Sequence, residues 1–238
     1  MIPDWNVCGK ILMTGMSGLV SGFSGAFVTI VSNLLVLKYS QYPVNDPHTI
    51  NVVGAWGTLG RVYFIGFMPL IALAQGVLPM LAYSSGAKLH KRFMRCAKLM
   101  MIWMFGIIAV VEIVLLIFAP QIARMFSSEP LFIDFFVPAL RIMVIGVILQ
   151  PCVMGLFPML QAVGKGGLAG MLLAMKTCII LLIFQFGISW LIHDYWGAVY
   201  AYPLTEVIST LIAAFVYFKN KKFFYGTQEL PVVNPRKE

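Results

Sequence analysis

Residues 75–88 read QGVLPMLAYSSGAK, and LHKRFMRCAK follows directly at 89–98. An apolar run that carries a glutamine, a proline and two glycines therefore ends in a segment with four further lysines and arginines. Membrane helices that reach the cytoplasm end in this way, because Lys and Arg concentrate in cytoplasmic loops. The stretch predicts the cytoplasmic end of a membrane span.

The composition extends this interpretation to the whole chain. Of its 238 residues 60% are hydrophobic and 11% are charged, whereas soluble domains carry about 25% charged residues. The mean hydropathy is +0.89. A membrane-spanning helix needs roughly 20 apolar residues, and six windows meet this length: 11–37, 49–84, 97–119, 131–160, 167–192 and 197–218. We expect an all-α bundle of six transmembrane helices, preceded by a cytoplasmic segment, 1–10, and followed by a basic tail, 219–238.

The lysines and arginines predict the direction of the spans. Thirteen of them fall on one side: Lys10, Lys88, Lys91, Arg92, Arg95, Lys98, Lys165, Lys176, Lys219, Lys221, Lys222, Arg236 and Lys237. The other side has two, Lys38 and Arg124. This asymmetry predicts a multi-pass protein of the plasma or inner membrane with both termini in the cytoplasm. It also accounts for the net charge of +8, so we expect the lipid bilayer, and no nucleic acid, as the partner of this charge.

Four charged side chains lie inside predicted spans: Arg61, Glu112, Arg141 and Glu206. Counted from the outer end of each span, all four fall at a similar depth, since a helix rises about 1.5 Å per residue. A lone charge in lipid is costly, so such residues should face the interior and pair. We expect a network of these four charges with Glu112–Arg141 as the first pair. A role in handling a proton or a substrate is the alternative.

Signals for an enzyme are missing from the sequence. The HExxH, Walker A and GxSxG motifs are absent, and the three histidines do not cluster. We therefore expect no catalytic residues, no metal site and no cofactor.

Four segments together resemble a known family. GRVYFIGFMPLIALAQGVLPMLAYSSGAK, PALRIMVIG, GLFPMLQAVGKG and YPLTEVIST occur in this order, at 60–88, 138–146, 155–166 and 202–210. Their order and spacing resemble the C-terminal six-helix lobe of the MATE family, the multidrug and toxic compound extrusion transporters. The resemblance covers nearly the whole chain, but members of that family have two six-helix lobes.

The resemblance implies a multidrug efflux secondary transporter, a cation-coupled antiporter, of which this chain is the C-terminal half. Drugs or cationic amphiphiles would be the substrates and a second six-helix lobe the partner, with H⁺ or Na⁺ as the coupling ion. The alternatives are a non-transporting truncated lobe or scaffold, and a flippase of lipid-linked sugars from the same superfamily.

The resemblance also points to candidate cavity residues. The sodium-linked branch of the family has acidic residues where this chain has roughly Gly25 and Gln150. Gln150 lies beside Pro151, where the helix should bend, and a neutral amide can orient a ligand without balancing its charge. Gln150 is therefore a candidate cavity residue, together with Asn33, Gln75 and Gln161.

Overall fold

A computed structural model describes residues 23, 25–40, 43 and 45–225, and every regular element within them is helical. The helices are α1 (Gly25–Lys38), α2 (Pro47–Gly86), α3 (His90–Phe126), α4 (Pro130–Ile145), α5 (Gln150–Ala162), α6 (Gly166–Ala174), α7 (Leu181–Ile192) and α8 (Trp196–Tyr225). A 3-10 turn, Val147–Leu149, joins α4 to α5, and a π turn, Met175–Ile180, joins α6 to α7.

The helices combine into long apolar spans. Helices α4 and α5 form one span, Pro130–Ala162, and α6, the π turn and α7 form another, Gly166–Ile192. With α2, α3 and α8 these make five spans, among the described residues, that are long and apolar enough to cross a membrane. Helix α1 is the described part of the first predicted span, whose start lies outside the described residues. The predicted all-α membrane bundle is confirmed.

Local sequence signals explain where several helices begin and end. The Asp46 side chain accepts a hydrogen bond from the His48 backbone N–H at 2.8 Å, and Pro47 occupies the first turn of α2. An acidic N-cap followed by proline is favourable, because the carboxylate accepts from a free N–H of the helix start and proline has no N–H to leave unpaired. The turn between α5 and α6 contains Gly164 at φ +77°, a conformation that glycine adopts without strain.

The two ends of the bundle differ in chemistry. At one end of the bundle α3 begins, α5 is followed by α6, and α8 ends. We call this the basic end. Contacts join these three places: the Phe93 and Phe224 rings stack at 6.0 Å, and Lys165 Nζ donates to Asn220 Oδ1 at 2.6 Å. At the opposite end the Phe135 ring lies 5.1 Å from Trp196. The lysines and arginines of 88–98, 165 and 219–221 thus share one end of the bundle.

Two large apolar cores fill the described part of the bundle, one towards each end, and a small third cluster consists of Val28, Leu181 and Ala201. The core near the opposite end includes Trp56, Phe136 and Leu140, and the core near the basic end includes Phe93 and Met104. Tyr63 packs against both cores. The middle of the bundle, around Tyr63, is where the buried polar side chains described next are found.

Candidate functional site

A buried polar cluster lies inside the bundle. We define it as Gln150, Lys176 and Glu206, which are buried, together with Tyr63, which is half-buried. The Lys176 ammonium forms an ion pair with Glu206 at 2.8 Å from Nζ to Oε2, with side-chain exposures of 9% and 3%. Lys176 Nζ also donates to Gln150 Oε1. The Tyr63 hydroxyl donates to the other carboxylate oxygen, Glu206 Oε1, at 3.1 Å. Both Glu206 oxygens are therefore engaged, as a buried carboxylate requires.

Irregular helix segments place two members of this cluster. Proline at position 151 has no N–H to donate, so the span is interrupted just before it by the 3-10 turn. The Leu149 carbonyl at this break accepts a hydrogen bond from the Thr210 hydroxyl at 3.5 Å. Gln150 starts α5 directly after the break and is buried. Beside Pro151, where the sequence predicts a bend, the structure changes from α-helix to a 3-10 turn.

The π turn positions the lysine. Lys176 is the second residue of Met175–Ile180, in the middle of the Gly166–Ile192 span. π segments inside α-helices shift the residues that follow around the helix axis, and they occur frequently at functional sites. Here the turn directs a long basic side chain towards α5 and α8 rather than out of the bundle.

The buried polar cluster forms one wall of a large cavity. This cavity has a volume of about 880 Å³ and is lined by residues of α1, α2, α5, α6, α7, α8 and the π turn. Pockets for small organic ligands have volumes of about 300–1,000 Å³. The charged side chains that line it are Arg61, Lys176 and Glu206, and its aromatic side chains are Tyr63, Phe64, Phe67 and Tyr202.

A second buried contact attaches α1 to this wall. The Ser32 hydroxyl donates to Gln185 Oε1 at 2.7 Å, across 153 positions of sequence. Both side chains are buried. Because a neutral hydrogen bond inside a membrane protein has no competing water, this contact fixes α1 beside α7 and so closes one side of the cavity.

The sequence-predicted cavity residues divide into two groups. Asn33 and Gln150 line the 880 Å³ cavity, and Gly25, the other position aligned with a family acid, lines it as well. Gln75 is exposed on α2, and Gln161 lies near the end of α5 with its Oε1 buried. Neither Gln75 nor Gln161 is among the residues that line this cavity, which corrects their assignment.

The predicted network of four charges is wrong. Arg61 and Arg141 are exposed and Glu112 is half-buried; Glu206 is the one buried member. Among the described residues no ion pair joins Glu112 to Arg141, and Glu206 pairs instead with Lys176. Arg141 lies next to Leu140 and Met143, which are buried, so it falls on the outward face of α4. Arg61 and Glu206 both line the 880 Å³ cavity, but among the described residues no ion pair joins them.

Lys176 is a candidate site residue whose position the charge pattern of the sequence predicts wrongly. It was counted with the cytoplasmic lysines because the predicted span begins at position 167, and a lysine near a helix end ordinarily extends to the interface. In the structure it is 8% exposed and points into the bundle. The sequence does indicate this depth. The ten apolar residues of 166–175 place Lys176 about 15 Å along the helix from the start of the span, which is too far for its side chain to reach water.

The importance of Gln150 can be tested on this chain. Gln150→Ala removes an acceptor of the Lys176 ammonium and is expected to reduce the free energy of unfolding by about 1–3 kcal/mol, the cost of an unsatisfied buried polar group. Gln75→Ala is the matched control, because Gln75 is exposed and a change there should stay within about 0.5 kcal/mol. Thermal unfolding of the purified protein in detergent measures both. Equal effects would show that Gln150 does not hold Lys176.

Comparison with known proteins places the fold. The MatE family model matches residues 23–191. The chain is similar to an outward-facing multidrug resistance MATE family transporter of the MOP superfamily, with a TM-score of 0.81 and 18% identity over 95% of this chain and 49% of that chain. An inward-facing structure of such a transporter gives 0.76 and 19%, over 93% and 50%.

A variant of the Vibrio cholerae MATE transporter VcmN is also similar, with a TM-score of 0.76 and 16% identity over 88% of this chain and 46% of that chain. No curated protein matches the sequence. The chain thus spans about half the length of the transporter structures that it matches.

Proposed function

This chain belongs to the MatE family, and from that membership we propose that it forms one six-helix lobe of a secondary transporter that exports small amphipathic molecules in exchange for cations. The observation that carries the proposal is the Lys176–Glu206 ion pair in the wall of the 880 Å³ cavity. We propose that a second six-helix lobe supplies the remaining walls, and that the basic end of the bundle faces the cytoplasm.

The position of the ion pair favours transport over a purely structural role. Desolvation makes a buried ion pair a poor source of stability, and hydrophobic residues of similar volume often stabilise a protein as well or better. Ionisable residues inside membrane spans mark ion and substrate pathways. A structural pair has no need to line a cavity, whereas a transported ion must be able to reach the carboxylate that binds it.

In the proposed mechanism Glu206 is the exchange point, the carboxylate at which proton and substrate replace each other. The Lys176 ammonium pairs with one oxygen of Glu206, and the Tyr63 hydroxyl donates to the other. A proton that reaches Glu206 neutralises it and releases Lys176, which retains Gln150 as a partner. The cluster then has two arrangements, and a change of proton concentration across the membrane biases the choice between them.

The contacts of Glu206 and Gln150 with Lys176 also indicate which coupling ion and which substrate the cavity would bind. The oxygens that a sodium ion would need, on Glu206 and Gln150, are already bound by the Lys176 ammonium, which favours H⁺ over Na⁺. A cationic amphiphile would compete with Lys176 for Glu206, and its apolar part would contact Phe64 and Phe67. Proton and substrate would thus displace each other from one carboxylate, which is the condition for exchange.

The proposal predicts that this chain alone does not export drugs. Alternating access needs two bundles that rock about a site between them, and one lobe supplies one side of that site. Vesicles containing only residues 1–238, loaded with a fluorescent cationic dye and given a proton gradient, should release dye at the rate of protein-free vesicles. Co-reconstitution with a six-helix lobe encoded beside this chain should give gradient-dependent release.

Glu206→Gln tests the role of the carboxylate in the two-lobe protein, because it keeps the shape of the side chain and removes its charge. We expect it to reduce proton-driven release by about 5–150-fold, the range that corresponds to typical coupling energies of 1–3 kcal/mol. Release driven by a sodium gradient instead would refute the choice of H⁺. Gradient-dependent release from residues 1–238 alone would refute the need for a second lobe. If the two-lobe protein releases no dye under either gradient, a scaffold or a lipid-linked-sugar flippase replaces drug export.

A further inference from the structure

A second cavity extends from the basic end towards the break before α5, and none of the four residues of the buried polar cluster lines it. It has a volume of about 710 Å³ and opens between α3, α5 and α8. Its wall is largely apolar and includes Met101, Leu156, Met159 and Tyr217, and two basic side chains, Arg95 and Lys98, complete the lining. We call this cavity the basal groove. It joins a long apolar surface to two positive charges at one end of a membrane bundle.

The two cations are free to bind a ligand. Arg95 and Lys98 are three residues apart on α3, so they lie on the same face of the helix. Both side chains are exposed, neither forms a salt bridge with another described residue, and no acidic residue lines the groove. Their position early in α3 places them where the bundle meets the membrane surface.

We propose that the basal groove binds an anionic phospholipid, with its phosphate on Arg95 and Lys98 and one acyl chain along the apolar wall. Basic pockets between transmembrane helices bind anionic lipid headgroups, and flexible methionine side chains adapt to an irregular chain. The volume suits a small organic ligand. This inference goes beyond transport and does not depend on the proposed function, because lipid binding requires neither a second lobe nor a gradient.

The first test uses the protein without substitutions. Native mass spectrometry of residues 1–238 in detergent should show retention of dioleoyl phosphatidylglycerol over dioleoyl phosphatidylcholine by about tenfold. Both headgroups carry a phosphate, but the choline ammonium cancels its charge in phosphatidylcholine and is repelled by Arg95 and Lys98. The two lipids have the same acyl chains, so the comparison isolates the headgroup. Equal retention of both lipids would overturn the proposal.

Matched variants locate the site. Arg95→Ala with Lys98→Ala should reduce phosphatidylglycerol binding about tenfold, whereas Arg92→Ala with Lys219→Ala should leave it unchanged. The second pair removes the same charge at the same end of the bundle, but neither residue lines the groove. Equal losses in the two double variants would show attraction to general surface charge and would overturn the assignment.

A third variant tests the acyl chain. Ala214 is exposed and lines the groove from α8, so Ala214→Trp fills the space without changing charge. It should weaken phosphatidylglycerol binding as strongly as the loss of the two cations. Full binding in Ala214→Trp would show that the basic residues hold a headgroup or a free anion alone, and the groove would not be a lipid site. Should a variant fail to fold, the comparison of the two lipids on the unaltered chain still decides.

Discussion

Replacement of Lys176 by methionine is expected to reduce the free energy of unfolding by about 3–5 kcal/mol, the cost of removing one partner of a buried ion pair. Glu206 is 2% exposed, so its carboxylate would remain in the bundle without a counter-ion. The Tyr63 hydroxyl, at 3.1 Å, is one of its remaining polar contacts. Methionine is unbranched like lysine and only one heavy atom shorter, so a loss of stability of this size would reflect mainly the lost charge rather than a cavity. Thermal or denaturant unfolding in detergent provides the measurement.

A double variant distinguishes the effect of losing the whole ion pair from the effect of leaving one charge unpaired. Lys176→Met together with Glu206→Gln removes both charges, and replacing a whole buried pair by neutral groups is often close to neutral in stability. We expect most of the lost stability to return. A double variant as unstable as Lys176→Met alone would contradict the assignment of Glu206 as the partner. Export by the two-lobe transporter should stay defective in the double variant even where stability recovers, since the exchange point is gone.

The second large effect is expected at a close approach between α7 and α8. A Cβ added to Gly197 would lie 2.4 Å from the Ser189 backbone nitrogen and 2.5 Å from its Cα. Backbone atoms cannot rotate aside, so Gly197→Ala must separate the two helices, and overpacking of this kind costs about 1–3 kcal/mol. Glycine at this position therefore sets the spacing of α7 and α8, and with it the distance between the π turn and Glu206.

Gly187→Ala is the matched control for this prediction. Gly187 lies within α7, and a Cβ added there would meet nothing within 4 Å. Alanine is preferred over glycine in a helix by about 1 kcal/mol, so this variant should be as stable as the parent or more so. The two Gly→Ala variants should thus shift the unfolding temperature in opposite directions. Shifts of the same sign would show that the α7–α8 approach does not limit packing at Gly197.

Several features of the bundle could be predicted from the sequence because they depend on hydropathy along the chain. The 49–84 window corresponds to α2 (Pro47–Gly86), and the 131–160 window to the Pro130–Ala162 span. Long apolar runs must form helices inside lipid, since every backbone group needs a hydrogen-bond partner there. The basic cluster that follows QGVLPMLAYSSGAK likewise identified a helix end without any knowledge of packing.

The candidate site could be predicted in part. Gln150 and Asn33 line the 880 Å³ cavity, and the break beside Pro151 followed from the missing N–H of proline. The ten apolar residues before Lys176 indicate that it lies too deep to reach water. Its pairing with Glu206 could not be predicted, because the π turn that directs it inwards has no signature in the apolar residues around it. The similar predicted depth of Glu112 and Arg141 in their spans suggested that they pair. The rotation of α4 about its axis instead places Arg141 on the outward face of that helix.

The sequence by itself determined the membrane class, the number and length of the apolar runs and the accumulation of basic residues at one end. These properties depend on the free energy of transferring each residue into lipid, which is a sum over positions along the chain. The tertiary structure alone decided which charges meet. Pairing of Lys176 with Glu206 requires that the π turn and α8 present their side chains to the same point, and helix rotation is set by packing between neighbouring helices rather than by hydropathy.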